Sequence, residues 1–241
     1  MGMKLESIIP WGRSMLEYTQ MFDLSPEELK LNILDCAGGP ASFNAEMTLQ
    51  GYKVISCDPV YQFTADEITQ RIQDTYEIVI QGVKDNQECY VWQNIQSPEM
   101  MGEIRMKAMG QFLENFPNGI NQSRYRKDEL PVLPFATNQF DLALCSHLLF
   151  TYSEQLSAEF HLASIGEMCR VAKEVRIFPL LQLSGELSPW LQPIINELEQ
   201  RGYAVEVKQV AYEFQKNGNQ MLCVKSDKGI AKNKLPKETL A

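Results

Sequence analysis

Histidine is scarce in this chain of 241 residues, which holds two, His147 and His161. Its six cysteines (Cys36, Cys57, Cys89, Cys145, Cys169 and Cys223) are scattered, and no two stand at the C-x-x-C spacing. A zinc module and a disulfide framework are both excluded on those grounds, and no metal is implied. Cys36, Cys57 and Cys145 fall near the ends of apolar runs, where a free thiol behaves as a small hydrophobe. No apolar run reaches the roughly 18–20 residues of a membrane span. The start, Met1 to Glu6, lacks a signal-peptide core, and Glu6 stands where a myristoylation signal needs Ser or Thr. The expectation is a reduced, cytoplasmic protein that does not enter a membrane. Basic residues are outnumbered, 22 Lys and Arg against 31 Asp and Glu, for a net charge of −9. Such a surface does not grip an extended nucleic acid, although a small basic patch remains compatible with it.

What is present suits one α/β domain. Hydrophobic residues make up 44% of the chain, enough for a core of the size this length can enclose. Ser25-Pro26-Glu27-Glu28 is a cap, an N1 proline and an N3 acid, and starts a short helical turn. The run Lys30 to Cys36 reads as a strand that breaks at Ala37-Gly38-Gly39-Pro40. Ala41 to Gln50 is a helix with Phe43, Ala45, Met47 and Leu49 as its apolar members, stopped by Gly51. Tyr52 to Cys57 is a second strand ending in Asp58-Pro59. Strand, glycine turn, helix and strand within ~30 residues form a βαβ unit of a parallel sheet.

Helical signals then dominate. Thr64 with Glu67 is a capping box ahead of Ile68 and Ile72, residues 75–82 form a further helical stretch, and Pro98 to Asn115 follows Ser97 as cap. Met101, Ile104, Ala108 and Phe112 share one face of that last helix. Residues 64–122 therefore read as a helical insertion near the mouth of the sheet, with its methionines as adaptable packing. Sheet periodicity resumes at Arg124 to Asp128 and at Phe140 to Ser146. Ser157 to Val171 is a helix, Glu174 to Pro179 a strand, and Ser188-Pro189 opens a helix that Pro193 kinks or delays. Tyr203 to Phe214 and Gln220 to Ser226 are strand-like around Asn217-Gly218, the strongest short hairpin signal available. The expected layout is one domain over residues 1–226 and a solvated tail from 227 to 241.

The sharpest chemical feature is the turn after the first strand. Backbone amides among small residues can approach a ligand there, with the start of the following helix aimed at it. Asp58, closing the second strand, can accept two hydrogen bonds from ribose hydroxyls, as in dinucleotide-binding folds. His147 lies just past a buried strand, where it either orients a substrate and accepts a proton or sits beneath a cofactor. Tyr125 and Tyr152 are candidates of the same sort, and His161, on a helix, reads as surface or packing. The basic run Arg124-Tyr125-Arg126-Lys127 is either a solvated strand edge or a seat for a small anion.

In that order these motifs resemble the class I S-adenosylmethionine-dependent methyltransferases. Asp35-Cys36-Ala37-Gly38-Gly39-Pro40-Ala41 follows the family's acid-x-Gly-x-Gly-x-Gly motif, with Ala37 and Ala41 at the outer glycines and Gly39 at the middle one. Asp58 matches the acid that holds the ribose. Leu133-Pro134-Phe135 through Phe140-Asp141-Leu142 is similar to the stretch entering the fourth strand, and Cys145 to Phe150 to the motif that follows it. The likeness runs from about Gly12 to Ser226. It implies a Rossmann-like, seven-stranded, mostly parallel sheet with a C-terminal antiparallel hairpin and a helical insertion. It further implies S-adenosylmethionine as cofactor and a small-molecule substrate, with Asp35, Cys36, Ala37, Gly38, Gly39, Asp58, Pro59 and Ser146 at the cofactor. Arg13 would meet the methionine carboxylate and Asp128 or Glu129 the adenine, while His147 is the one catalytic candidate. If Ala37 needs a positive φ it is strained and binding is weakened; with a negative φ it stiffens the loop. Two other readings stand: an NAD(P)-dependent oxidoreductase, which the absence of Gly-x-Gly-x-x-Gly and the hairpin oppose, and a non-catalytic interaction protein that keeps the scaffold. The sequence names neither a methyl acceptor nor an oligomeric state.

Overall fold

A computed structural model describes residues 8–226, so both Met1 to Glu6 and the expected tail from 227 lie outside the described residues. Helix α1 (Met15–Met21) opens the fold with a capping box, Ser14 Oγ accepting from Glu17 N while Glu17 accepts from Ser14 N at 3.0 Å. Met15, Tyr18 and Phe22 form an i, i+3, i+7 stripe that is buried, which leaves Leu16 66% exposed. Strand β1 (Ile33–Cys36), helix α2 (Phe43–Leu49) and strand β2 (Val54–Cys57) are the expected βαβ unit. All four residues of β1 are buried, as a strand covered on both faces requires. Leu49, expected among the apolar members of α2, is 82% exposed, whereas Phe43, Ala45 and Met47 are buried.

The helical stretch is simpler than the sequence suggests. Helix α3 (Ala65–Asp85) is one uninterrupted helix behind the Thr64 capping box. Helix α4 (Pro98–Asn121) starts at the expected cap, Ser97, and runs on through Pro117. A proline there forfeits one backbone bond without ending the helix, because buried Phe116 and Gly119 hold the last turn in place. Helix α4 packs on α2 and on β3 (Tyr125–Arg126), which extends the sheet beside β2. It is thus the crossover helix between β2 and β3, and the material in excess of a simple crossover is α3 with residues 86–97.

Strand β4 (Phe140–Ser146) matches the expected run residue for residue and pairs with β1. Helix α5 (Ala158–Val171), capped by Ser157, leads directly into β5 (Ala172–Phe178). Helix α6 (Leu191–Gln200) begins after the Ser188-Pro189 signal and tolerates Pro193 in its first turn, where amides have no helical partner. Strands β6 (Tyr203–Gln209) and β7 (Gln220–Ser226) close the sheet in the order β3-β2-β1-β4-β5-β7-β6, with β7 antiparallel to both neighbours. This is the expected Rossmann-like sheet with its C-terminal antiparallel pair. The hairpin, however, is not tight. The strand expected to reach Phe214 stops at Gln209, and residues 210–219 leave the sheet before Val210 N meets Asn219 O at 2.8 Å. Asn217 (φ +62°) and Gly218 turn the chain inside that connection.

Alternate residues of the central strands feed two cores, Leu34, Cys36, Ala143 and Cys145 on one face and Ile33, Leu142 and Leu144 on the other. Two smaller clusters form under α3 and α4, one of them taking in Tyr125 of the edge strand β3. Among the described residues no helix is long and apolar enough to cross a membrane.

Candidate functional site

A cavity of about 560 Å³ opens at the C-terminal ends of β1, β2 and β4, inside the usual range of roughly 300–1,000 Å³ for small-molecule sites. Its floor is the turn after β1. Ala37 (φ +56°) and Gly39 (φ +52°) are both left-handed, and a Cβ on Gly38 would lie 2.3 Å from Asp35 Oδ2. Of the two conformations open to Ala37, the strained one is therefore realised. Three of the turn's amides are already engaged: Gly38 N donates to Cys57 O, Gly39 N to Asp58 Oδ2 at 2.9 Å, and Ala41 N to Gly38 O. Helix α2 starts only at Phe43. The turn presents bare backbone surface, not a cradle of free N–H groups.

Asp58 faces the cavity across that turn. Its Oδ1 accepts from Val60 N at 2.8 Å and its Oδ2 from Gly39 N, so each oxygen keeps a lone pair for a further donor. Burial raises its carboxyl to about 6 against these two hydrogen bonds. Ala37, Gly38, Gly39, Pro59, Ser146, His147 and Arg13 line the cavity. Asp35, Cys36 and Asp128 do not. Asp35 lies beneath the turn, accepting from Tyr18 OH at 3.1 Å and Ser56 Oγ at 2.8 Å, and burial lifts it to about 7. Cys36 belongs to the core, and Asp128 is turned to Arg126 at 2.6 Å while its neighbour Glu129 lines the cavity.

The cover over the turn comes from the N-terminal segment. Gly12 is required there, since a Cβ would lie 2.0 Å from Pro40 O, and Ser42 N donates to Arg13 O at 3.0 Å. Arg13 Nη1 donates to Trp11 O at 3.1 Å and its Nε has no partner. Burial, then the charge of Arg105, pulls the Arg13 guanidinium below its ordinary value. Arg105 on α4 is 1% exposed and ion-pairs with Glu17 of α1; Tyr212 OH of the 210–219 connection is 3.1 Å from both. Burial pushes the Glu17 carboxyl up, but the two guanidiniums and its hydrogen bonds outweigh this and hold it at about 2.

His147 also has a positive φ (+55°), fixed by its N–H donating to Phe178 O at 2.7 Å. Its Nδ1 is 2.8 Å from Ser146 Oγ, and burial, reinforced by Arg13 and Arg105, drops its pKa well below 6.5. The ring is neutral at physiological pH. Tyr152 lines the cavity and takes a hydrogen bond from Ile9 N at 3.4 Å, whereas Tyr125 is core. His161 is packing, its Nε2 accepting from Phe150 N at 2.9 Å. The basic run is a structural edge. Arg124 is held by Asn44, Asn115 and Gln122, Arg126 by Asp128, and neither they nor Lys127 line the cavity.

Glu17, Arg105 and Tyr212 went unread as site residues. Arg105 did carry a signal: it interrupts the apolar stripe Met101, Ala108 and Phe112 at i+4, and a lone charge on a buried helix face needs a partner.

No family model matches the chain. The uncharacterized protein MJ0045 of Methanocaldococcus jannaschii is 31% identical over 226 residues, covering 92% of this chain and 98% of that protein. The chain belongs to the family of MJ0045. Among solved structures, magnesium protoporphyrin IX methyltransferase of Synechocystis PCC 6803 with bound SAM is similar at a TM-score of 0.43 and 13% identity, over 87% of this chain and 80% of that one. A SAM-dependent methyltransferase of Aquifex aeolicus reaches 0.40 at 17% identity, over 86% and 90%. Likeness of that degree carries no argument about the site, which stands on the chain's own geometry.

Proposed function

We propose that this protein is an S-adenosylmethionine-dependent methyltransferase acting on a small molecule. The observation that carries the reading is Asp58, a carboxylate at the tip of β2 that faces the cavity across a turn of small residues. Two ribose hydroxyls can use the lone pairs left on its oxygens. The residues fit such a cofactor in three respects. Gly39 leaves room for a ligand to lie against backbone, Arg13 brings a guanidinium whose Nε has no partner among the described residues, and the cavity is of suitable size.

When bound, S-adenosylmethionine supplies an activated methyl group on a sulfonium, so the protein's task is alignment, worth on the order of 7–11 kcal/mol in favourable cases. Asp58 would hold the ribose, Arg13 the methionine carboxylate and Pro59 the adenosine flank. Ser146 and the neutral His147 would form the wall nearest the acceptor. The cover made by Trp11, Gly12 and Arg13 excludes water from above the turn.

Calorimetric titration with S-adenosylhomocysteine tests the reading. The wild-type protein binds it, and Asp58→Ala weakens it by roughly 30-fold or more, equivalent to ~2 kcal/mol for two hydrogen bonds to a charged acceptor. Absence of binding to the wild type, or an unchanged affinity in the variant, refutes it.

A further inference from the structure

Arg71, in the second turn of α3, lines the same cavity as Asp58. Its guanidinium carbon lies 3.6 Å over the centre of the Phe63 ring, and its Nη1 donates to Glu67 O at 3.1 Å. Among the described residues it makes no ion pair, although the carboxylates Asp58 and Glu129 line the cavity as well. Its Nε and Nη2 have no protein partner among those residues either. Arg13 and Arg105 are shut in by the cover and the roof, whereas Arg71 is half-buried and keeps donors for a ligand.

The path from Asp58 to this side chain is short and fixed. Asp58 Oδ1 caps a single 3-10 turn over Pro59–Gln62, accepting from Val60 N at 2.8 Å. Phe63 N closes that turn by donating to Val60 O at 3.1 Å, and Thr64 caps α3 directly after it. Pro59, Val60, Gln62 and Phe63 all line the cavity. The ring of Phe63 is therefore held at a set place relative to the Asp58 carboxylate, and it covers one side of the Arg71 guanidinium.

The surroundings choose between ligands. Asp58 and Glu129 give this side of the cavity a negative field, which repels an anion and leaves an uncharged group unopposed. A guanidinium backed by an aromatic ring offers a planar cation to the π face of a base, and free N–H donors to its ring nitrogens. Resting on the methyltransferase reading, we propose that Arg71, seated on Phe63, is a purine-stacking residue that closes over the adenosine of the cofactor from α3. Asp58 holds the ribose from the floor and Arg71 covers the base. The material in excess of a simple crossover thereby gains a task, because its first helix supplies a cofactor contact that the βαβ unit lacks.

The test is calorimetric titration of the full chain with S-adenosylhomocysteine, and displacement of that ligand by adenosine. Arg71→Ala weakens both ligands about fivefold or more and by the same factor, since the lost contact is confined to the nucleoside. Arg13→Ala weakens S-adenosylhomocysteine alone and leaves adenosine within about twofold. Arg71→Lys keeps the charge without the planar guanidinium and binds as poorly as the alanine variant. Unchanged affinities in Arg71→Ala, a loss for S-adenosylhomocysteine alone, full affinity in Arg71→Lys, or no displacement by millimolar adenosine overturns the assignment. Alanine is the better helix former, so α3 survives the substitution. Should that variant fail to fold, Phe63→Leu decides: it removes the ring behind the guanidinium and weakens both ligands about threefold, and indifference to it overturns the proposal. A wild-type protein that binds no S-adenosylhomocysteine refutes the cofactor reading itself, and the stacking role with it.

Discussion

The floor and the roof of the cavity both bury ionised groups, and they handle them in opposite ways. The roof sets opposite charges against each other: Glu17 lies on Arg105, and Tyr212 bridges them from a third segment. Among the described residues, no cation lies beneath the turn at the floor. Asp35 rests on two hydroxyls and Asp58 on two backbone amides, so burial raises both toward neutrality. Charge pairing fixes elements that come from far apart in the chain, whereas hydroxyl and amide bonding leaves carboxylates that titrate in the physiological range.

Removing the roof's anion should have the largest effect. Glu17→Gln leaves Arg105 buried without a counter-charge, and chemical denaturation should show a loss of about 3–5 kcal/mol. The same substitution loosens Tyr212 and with it the 210–219 connection. A loss under ~1 kcal/mol would mean that the pair is solvated and that the roof is held by its apolar cluster alone.

The next prediction separates the two regions by pH. Asp35 has a folded pKa of about 7, well above its unfolded value, so the folded state binds the extra proton. Its stabilisation is complete below the unfolded pKa and is lost as pH rises through about 7. Asp58 acts in the same sense at about 6. Stability should therefore fall by roughly 4 kcal/mol between about pH 5 and pH 8, and Asp35→Asn should remove the larger part of that slope. Glu17 contributes nothing there, because its pKa of about 2 puts its loss far into acid. A slope that survives Asp35→Asn would place the titrating group elsewhere.

How far each region was legible in the sequence follows the same division. The floor is local: a buried strand, a turn of small residues and an acid at the next strand end lie within a few dozen residues, and β4 was bounded correctly because its apolar run ends abruptly at Gln139 and His147. The roof is assembled from α1, α4 and the 210–219 connection, whose pairings no local pattern encodes. The period-two alternation of Val210, Tyr212 and Phe214 is real and reads as strand. Its inward residues are satisfied by packing at the roof, not by a ladder to β7. Asp35 was misplaced for a related reason. A motif names the residue, but only the Tyr18 and Ser56 hydroxyls show that its side chain turns under the floor.

The smallest effect is expected at Ala37, where the floor departs from a glycine pattern. Left-handed backbone costs alanine about 1–2 kcal/mol, and glycine would return most of that while losing ~0.5–1 kcal/mol to the greater freedom of the unfolded chain. Ala37→Gly should thus raise stability by up to ~1 kcal/mol in denaturant titration. The hydrogen bonds that fix the turn, from Gly38 N to Cys57 O and from Gly39 N to Asp58, do not involve the methyl group, so the turn keeps its shape and S-adenosylhomocysteine affinity changes little. If instead affinity rises tenfold with stability unchanged, the Ala37 methyl is itself occupying ligand space, and the floor restricts its ligand by contact.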